Sequence, residues 1–251
     1  MLEKISLHYV RAQRRLILLD YDGTLVKLQP TPEKAAISSD ALSLLQQLTA
    51  DEKNTVVILS GRDRNLLEAW LVAVPLHLAA EYGALTKAPH AQWQHHTKPA
   101  DGWKPKVREI LRHYLAAAPR SFIEEKLYSL VWHYRLAHPA IAQRALTKFD
   151  PQLRAIVKKL DLEILDGHMV VEVRMPGQDK GTTAAHWLES GDWDFILAAG
   201  DDIADEQMFA ALPDHAYTIK IGPGDTVARD RLKNPNELLT ILKRLGGDER
   251  T

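Results

Sequence analysis

The residues Leu16, Ile17, Leu18 and Leu19 form an unbroken apolar run that stops at Asp20. A short run without polar alternation predicts a strand buried on both faces, here over 15–20. Similar runs predict strands at "TVVILS" (55–60), "LHLAAEYG" (76–83, with its exit loop), "DFILAAGDD" (194–202) and "AYTIKIG" (216–222). Between them the apolar period lengthens toward 3.6. "SSDALSLLQQLTAD" (38–51) predicts an amphipathic helix with Ser39 or Asp40 as N-cap and Leu42, Leu45 and Leu48 on one stripe. Further helices are predicted at 62–71, 180–190, 205–212 and 235–247, the last with Gly246 beyond its end. Buried strands alternating with helices predict an α/β core whose parallel sheet is covered on both faces.

The middle of the chain breaks this rhythm. Residues 86–105 are polar, carry Pro89, Pro99 and Pro105, and read as a connection. "KVREILRHYLAAA" (106–118) predicts an amphipathic helix, and "SFIEEKLYSLVWHYRLA" (121–137) two strands in tandem. Residues 138–160 read as helical with an interruption near Pro151. "LEILDGHMVVEVRM" (162–175) predicts a hairpin turning at Asp166-Gly167. A helix-and-antiparallel-strand module at 100–177 is thus expected between two parts of one core, 1–99 and 178–251. Repeats and low-complexity tracts are absent from the sequence.

Composition narrows the function classes. A formal net charge of -1 supplies no global attraction for nucleic acid or an anionic membrane, so any anion needs a local site. The absence of cysteine excludes disulfides, thiolate metal sites and a cysteine nucleophile. No segment has the roughly 18–20 consecutive apolar residues of a membrane span, and the N-terminal stretch is unlike a signal peptide. The expectation is a soluble, cytoplasmic protein.

The candidate chemistry lies at strand ends. Asp20 and Asp22 are two apart, so both can face the crevice beyond the strand's carboxyl end. Two close carboxylates resist joint ionisation. They are stabilised by a divalent cation such as Mg²⁺ or by one retained proton, and a bare carboxylate can attack phosphorus. The second strand runs into Ser60-Gly61-Arg62, a hydroxyl and a guanidinium suited to phosphate oxygens. Lys180-Gly181 opens a helix, where an ammonium and free backbone N–H groups can share an anion. The fourth segment, "GDDIADE" (200–206), places Asp201, Asp202, Asp205 and Glu206 at a strand end and helix start. In the middle module, Glu124 and Lys126 share one strand face, and Glu172 and Arg174 share another. Carboxylate and ammonium groups on a sheet face suit the many hydroxyls of a sugar. His133 and Arg135 fall on the Glu125 parity if that strand is continuous.

"DYDGTL", Ser60, Lys180 and "GDDIADE" resemble, in order and character, the four motifs of the haloacid dehalogenase (HAD) superfamily. Within it, "AEYGA", "EEKLYSLVWHYR" and "VVEVRMPGQDKG" extend a resemblance to the trehalose-6-phosphate phosphatase family nearly end to end. Tyr82 and Ala204 depart from that family's usual histidine and threonine.

The resemblance implies a Rossmann-like HAD core with an inserted α+β cap of the C2 type. It also implies a Mg²⁺-dependent phosphoric monoester hydrolase that releases trehalose and phosphate at the last step of trehalose biosynthesis. Asp20 would be the nucleophile that forms an aspartyl-phosphate, and Asp22 the general acid and base. Mg²⁺ would be held by the Asp20 carboxylate, the Asp22 carbonyl and Asp201, with Asp205 acting directly or through water. Ser60 and Lys180 would hold the phosphoryl group, and Asp202 would orient Lys180, the sequence leaving open whether Asp202 or Asp201 is the direct metal ligand. Glu124, Lys126 and Glu172 would contact the sugar, and Arg62 and Arg174 are further candidates for holding phosphate or gating the cap. Cap closure would hinge near 86–105 and 176–180. The family includes fusions to a trehalose-phosphate synthase. The alternatives are another phosphorylated glycoside, such as sucrose phosphate or mannosyl-phosphoglycerate, or a non-catalytic sugar-phosphate-binding regulatory domain.

Overall fold

The computed structural model describes residues 2–247. Residues up to His96 together with those from Asp179 onward form one compact unit, and Thr97–Gln178 form a second.

The first unit begins with helix α1 (Leu2–Arg11), which sequence patterning left unassigned. Strand β1 (Arg15–Asp20) is buried at all six positions, as its uninterrupted apolar run requires. Helix α2 (Ser39–Ala50) starts one residue earlier than the N-cap expectation: Ser38, not Ser39 or Asp40, accepts a hydrogen bond from the Ala41 N–H. Its buried stripe is Ala41, Leu44, Leu45 and Leu48. Strand β2 (Asn54–Leu59), helix α3 (Arg64–Leu71) and strand β3 (His77–Ala80) follow.

Strands β4 (Leu85–Lys87) and β5 (Gln94–His95) occupy part of the stretch read as a connection. β4 pairs antiparallel with β3 and β5 antiparallel with β4, and at two or three residues each they are too short for a periodic signal.

The second unit has helix α4 (Lys104–Ala117), strands β6 (Phe122–Glu125) and β7 (Ser129–His133), helix α5 (Pro139–Lys159), and strands β8 (Glu163–Gly167) and β9 (Val170–Arg174). The four strands form an antiparallel sheet in the order β6-β7-β9-β8. One face packs on α4 and α5 through the fully buried Trp132, whose ring lies 4.8 Å from that of Tyr114. Helix α5 runs unbroken through Pro151, contrary to the expected interruption. Ala142 and Ala145 before the proline and Leu153 and Val157 after it bury into the same core, which outweighs the missing backbone hydrogen bond. The hairpin pairs Gly167 with Val170, so the turn sits at His168-Met169 and not at Asp166-Gly167. Burial of Val171 and Val173 sets this register, and Met169 accepts a left-handed φ of 63° to close it.

The chain returns to the first unit with helix α6 (Lys180–Glu189), strand β10 (Phe195–Gly200), helix α7 (Ile203–Ala211), strands β11 (Tyr217–Ile221) and β12 (Asp230–Leu232), and helix α8 (Pro235–Gly246). Helix α8 ends one residue past the expected stop, with Gly247 in the left-handed cap position at φ 97°. The sheet order is β12-β11-β10-β1-β2-β3-β4-β5, parallel from β12 to β3. β1 lies between β10 and β2, so the carboxyl ends of these three strands share one edge. Among the described residues no helix is long and apolar enough to cross a membrane.

Candidate active site

Asp20 is the last residue of β1 and is only 4% exposed. Its Oδ1 accepts from Lys180 Nζ at 2.5 Å. Lys180 is the first residue of α6, whose start is fixed by an Asp179–Thr182 capping box. The same ammonium donates to Asp205 Oδ1 at 2.7 Å. Asp205 Oδ2 accepts the backbone N–H groups of Asp201 and Asp202, both at 3.0 Å. The strand-to-helix turn after β10 is thereby clamped by one fully buried carboxylate. Asp202 caps α7 through the Ile203 N–H. Asp205, and not Asp202, is therefore the acid that orients Lys180.

Two glycines make this convergence possible. A Cβ on Gly23 would lie 1.9 Å from Asp201 Oδ2, and Gly23 adopts φ 82°, so a side chain there meets both a clash and a strained backbone. A Cβ on Gly200 would come within 2.1 Å of Asp205 Cγ.

The electrostatics explain why the cluster calls for a cation. Carboxylate oxygens of Asp20, Asp201 and Asp205 lie within 4.8 Å of one another. Asp20 Oδ2 is buried without a hydrogen-bond partner among the described residues. Burial pushes Asp20 well above the ordinary carboxylate range, with Asp205 and Asp201 adding to the rise and Lys180 opposing it. Burial and Asp205 push Asp201 up to about 7. Burial pulls the Lys180 ammonium down, but Asp20 and Asp205 outweigh it and its pKa is raised. A set of hard oxygen donors with an orphaned buried oxygen fits Mg²⁺. Asp205 brings the most encumbered oxygens, since Lys180 and two backbone N–H groups already engage them.

Ser60 directly follows β2, whose Leu59 pairs with Asp20. It is buried, and its Oγ accepts from the Arg62 N–H at 3.2 Å. Among the described residues the Asp22 carboxylate bonds to Arg62 and not to the Asp20 cluster. The pair from Arg62 is bidentate, Nε at 2.5 Å and Nη2 at 2.6 Å. Arg62 is held in turn by the Pro32 carbonyl at 2.7 Å and by the rings of Trp70 and Tyr21, 4.9 and 5.5 Å from its guanidinium carbon. Patterning offered Arg62 as a phosphate or cap residue; in this structure it holds Asp22.

The remaining expected residues lie in the second unit. Lys126 Nζ donates to Glu172 Oε1 at 3.1 Å, and Ser129 Oγ donates to the same oxygen at 2.5 Å. Arg174 reaches Glu163 at 3.3 Å. Glu124 accepts from His133 Nε2 at 2.7 Å. This contact overturns the parity assigned to His133. Residues 126–128 reverse the chain between β6 and β7, so Phe122 pairs with His133 and the imidazole shares the Glu124 face. A turn recognised within "EEKLYS" would have revealed it. Lys220 was also missed. It sits at the end of β11, buried, with its ammonium on the Asp201 carbonyl and 3.7 Å from Glu206. No local motif marks it, because only the β10-β11 pairing brings it to the acid loop.

A central parallel strand ending in an aspartate that a lysine and an acid cluster surround belongs to the haloacid dehalogenase-like hydrolase class of folds. A haloacid dehalogenase-like hydrolase from Bacteroides thetaiotaomicron has the same fold, with a TM-score of 0.65 at 14% identity, covering 92% of this chain and 99% of that one. Within the class, the trehalose-phosphatase family model matches residues 18–237, and the chain belongs to that family. It is 39% identical over 243 residues to the bifunctional trehalose-6-phosphate synthase/phosphatase of Thermoproteus tenax, covering 97% of this chain and 33% of that one. The C-terminal domain of C. albicans trehalose-6-phosphate phosphatase matches with a TM-score of 0.92 at 30% identity, covering 98% of this chain and 96% of that one. The chain spans about a quarter to a third of the length of the curated relatives it matches.

Proposed function

We propose that this chain is a phosphatase that hydrolyses trehalose 6-phosphate to trehalose and phosphate through an aspartyl-phosphate on Asp20. The observation that carries the reading is Asp20 itself: a buried carboxylate with one oxygen held by Lys180 and the other without a hydrogen-bond partner among the described residues. An Asp20 oxygen attacks phosphorus while the bond from phosphorus to the sugar oxygen breaks. Asp22 delivers a proton to that leaving oxygen. Asp22 then takes a proton from water as the water attacks the phosphorus of the aspartyl-phosphate. Inorganic phosphate leaves and the Asp20 carboxylate is regenerated. Lys180 and Ser60 hold the phosphoryl oxygens, and Asp205 keeps Lys180 aimed at Asp20. Mg²⁺ held by Asp20, Asp201, the Asp22 carbonyl and Asp205, directly or through water, would neutralise phosphate charge so that one anion can approach another. Arg62 fixes the Asp22 carboxylate between turnovers.

The substrate assignment is supported by the relatives' names and by the polar face of the β6-β7-β9-β8 sheet. We assign Glu124, Lys126 and Glu172 on that face to the sugar hydroxyls and Arg174 to bracing it, with Thr97–Gln178 acting as the specificity unit. The bifunctional relative supports a setting beside a trehalose-phosphate synthase, fused or separate.

Phosphate release from trehalose 6-phosphate, sucrose 6-phosphate and glucose 6-phosphate, with and without Mg²⁺, tests the proposal. Trehalose 6-phosphate is expected to be turned over fastest, and only with the cation. A preference for sucrose 6-phosphate would replace the substrate, and binding without turnover would make the chain a regulatory domain.

A further inference from the structure

Resting on the reading that Glu124 contacts the sugar, we propose that His133 is a positioning residue for sugar recognition and that it works by fixing the Glu124 carboxylate. In the β6-β7 ladder Phe122 faces His133 and Glu124 faces Val131, which makes His133 and Glu124 diagonal neighbours on one sheet face. The imidazole donates from Nε2 to Glu124 Oε2 at 2.7 Å. The ring is itself clamped, stacked on Phe122 with centroids 4.6 Å apart and planes 9° from parallel. Both partners are largely buried, the His133 side chain 17% and the Glu124 side chain 20% exposed.

A glutamate has three side-chain torsions, and an untethered carboxylate pays rotamer entropy each time it meets a sugar hydroxyl. A charge-assisted bond from a ring that cannot turn removes much of that freedom in advance. The bond engages Glu124 Oε2 and aims the carboxylate. Lys126 and Ser129 instead share one oxygen of Glu172. His133 serves the contact built on Glu124.

The test measures kcat and KM for trehalose 6-phosphate and for a small aryl phosphate, using wild type, His133→Ala, His133→Phe, His133→Gln, Glu124→Ala and the double variant Glu124→Ala/His133→Ala. His133→Ala is expected to lower the disaccharide-to-aryl ratio of kcat/KM about tenfold, mainly through KM. His133→Gln, which keeps an N–H donor, restores most of that ratio. His133→Phe, which keeps only the stacked ring, does not. Adding His133→Ala to Glu124→Ala lowers the ratio no further. Rescue by Phe and not by Gln would show that packing, not the hydrogen bond, matters, and would overturn the proposal. Independent, additive losses in the double variant would overturn it as well. If Glu124→Ala harms both substrates equally, the sugar-reading assignment fails and this inference falls with it. If Glu124→Ala is selective and His133→Ala is not, the positioning role alone is refuted. Far-UV circular dichroism of each variant separates these outcomes from misfolding.

Discussion

At the residue scale, the site is organised around one lysine. Lys180 Nζ touches Asp20 at the end of β1 and Asp205 in the first turn of α7, and so holds the candidate nucleophile and the acid loop in register. Replacing Asp20 by Asn keeps the size of the side chain and removes its nucleophilic oxygen. Phosphate release is expected to vanish while circular dichroism stays native; retained turnover would remove Asp20 from the chemistry. The two neighbouring acids give a sharper comparison. Asp205→Asn disturbs Lys180 and the turn after β10, and is expected to lower kcat roughly 10- to 100-fold. Asp202→Ala breaks a helix cap and is expected to cost only a few-fold in kcat, with about 1 kcal/mol in stability. The reverse order of the kcat losses would return the orienting role to Asp202. The positions of Asp20, Ser60 and Lys180 were legible in the chain because each stands at a strand end or helix start that local patterning exposes. The partner of Lys180 was not. Choosing between Asp202 and Asp205 depends on a three-residue rotation around the first turn of α7, which the string "GDDIADE" leaves open.

At the element scale, the long buried strands and the amphipathic helices were readable, and the short or edge elements were not. β4 and β5 lie where polar residues and prolines suggested a connection. The β6-β7 reversal was hidden because "EEKLYS" lacks the glycine or asparagine that usually marks a tight turn. Helix α5 is the opposite case, since a strong local signal, Pro151, was overridden by packing on both sides of it. The proline is exposed, so its cost is mainly the missing backbone donor and the crowding of the preceding turn. Pro151→Ala is expected to stabilise the second unit by on the order of 1–3 kcal/mol. Chemical denaturation of a variant whose other five tryptophans are replaced by Phe, followed by the fluorescence of the buried Trp132, measures this, and a lower midpoint would mean that the proline supplies a contact the helix needs.

At the scale of the whole molecule, the acid cluster sets a balance between pH, cation and stability. Asp20 and Asp201 are both raised by burial and by neighbouring carboxylates, Asp201 to about 7. In the unfolded chain each returns to about 3.9. Between those values the metal-free folded protein retains protons that the unfolded chain has released, so its stability falls as pH rises through that window. A cation bound to the ionised cluster offsets the loss. Without divalent cation, the thermal midpoint is expected to decline from about pH 5 to about pH 7.5 on this account, and Mg²⁺ to raise it more at the upper pH than at the lower. An equal Mg²⁺ effect at both pH values would place the cation elsewhere.

Strand β1 has a consequence for how the protein is made. On the ribosome it emerges early and can pair at once with β2, but its other edge is reserved for β10, which follows only after the whole Thr97–Gln178 segment has been synthesised. That segment pairs its own strands and can mature first. Meanwhile a strand with four consecutive apolar residues, Leu16 to Leu19, waits with unpaired backbone groups along one side, the kind of edge that invites association with other nascent chains. Arrested nascent chains ending before Phe195 should therefore bind chaperones that chains extended past Leu232 have released.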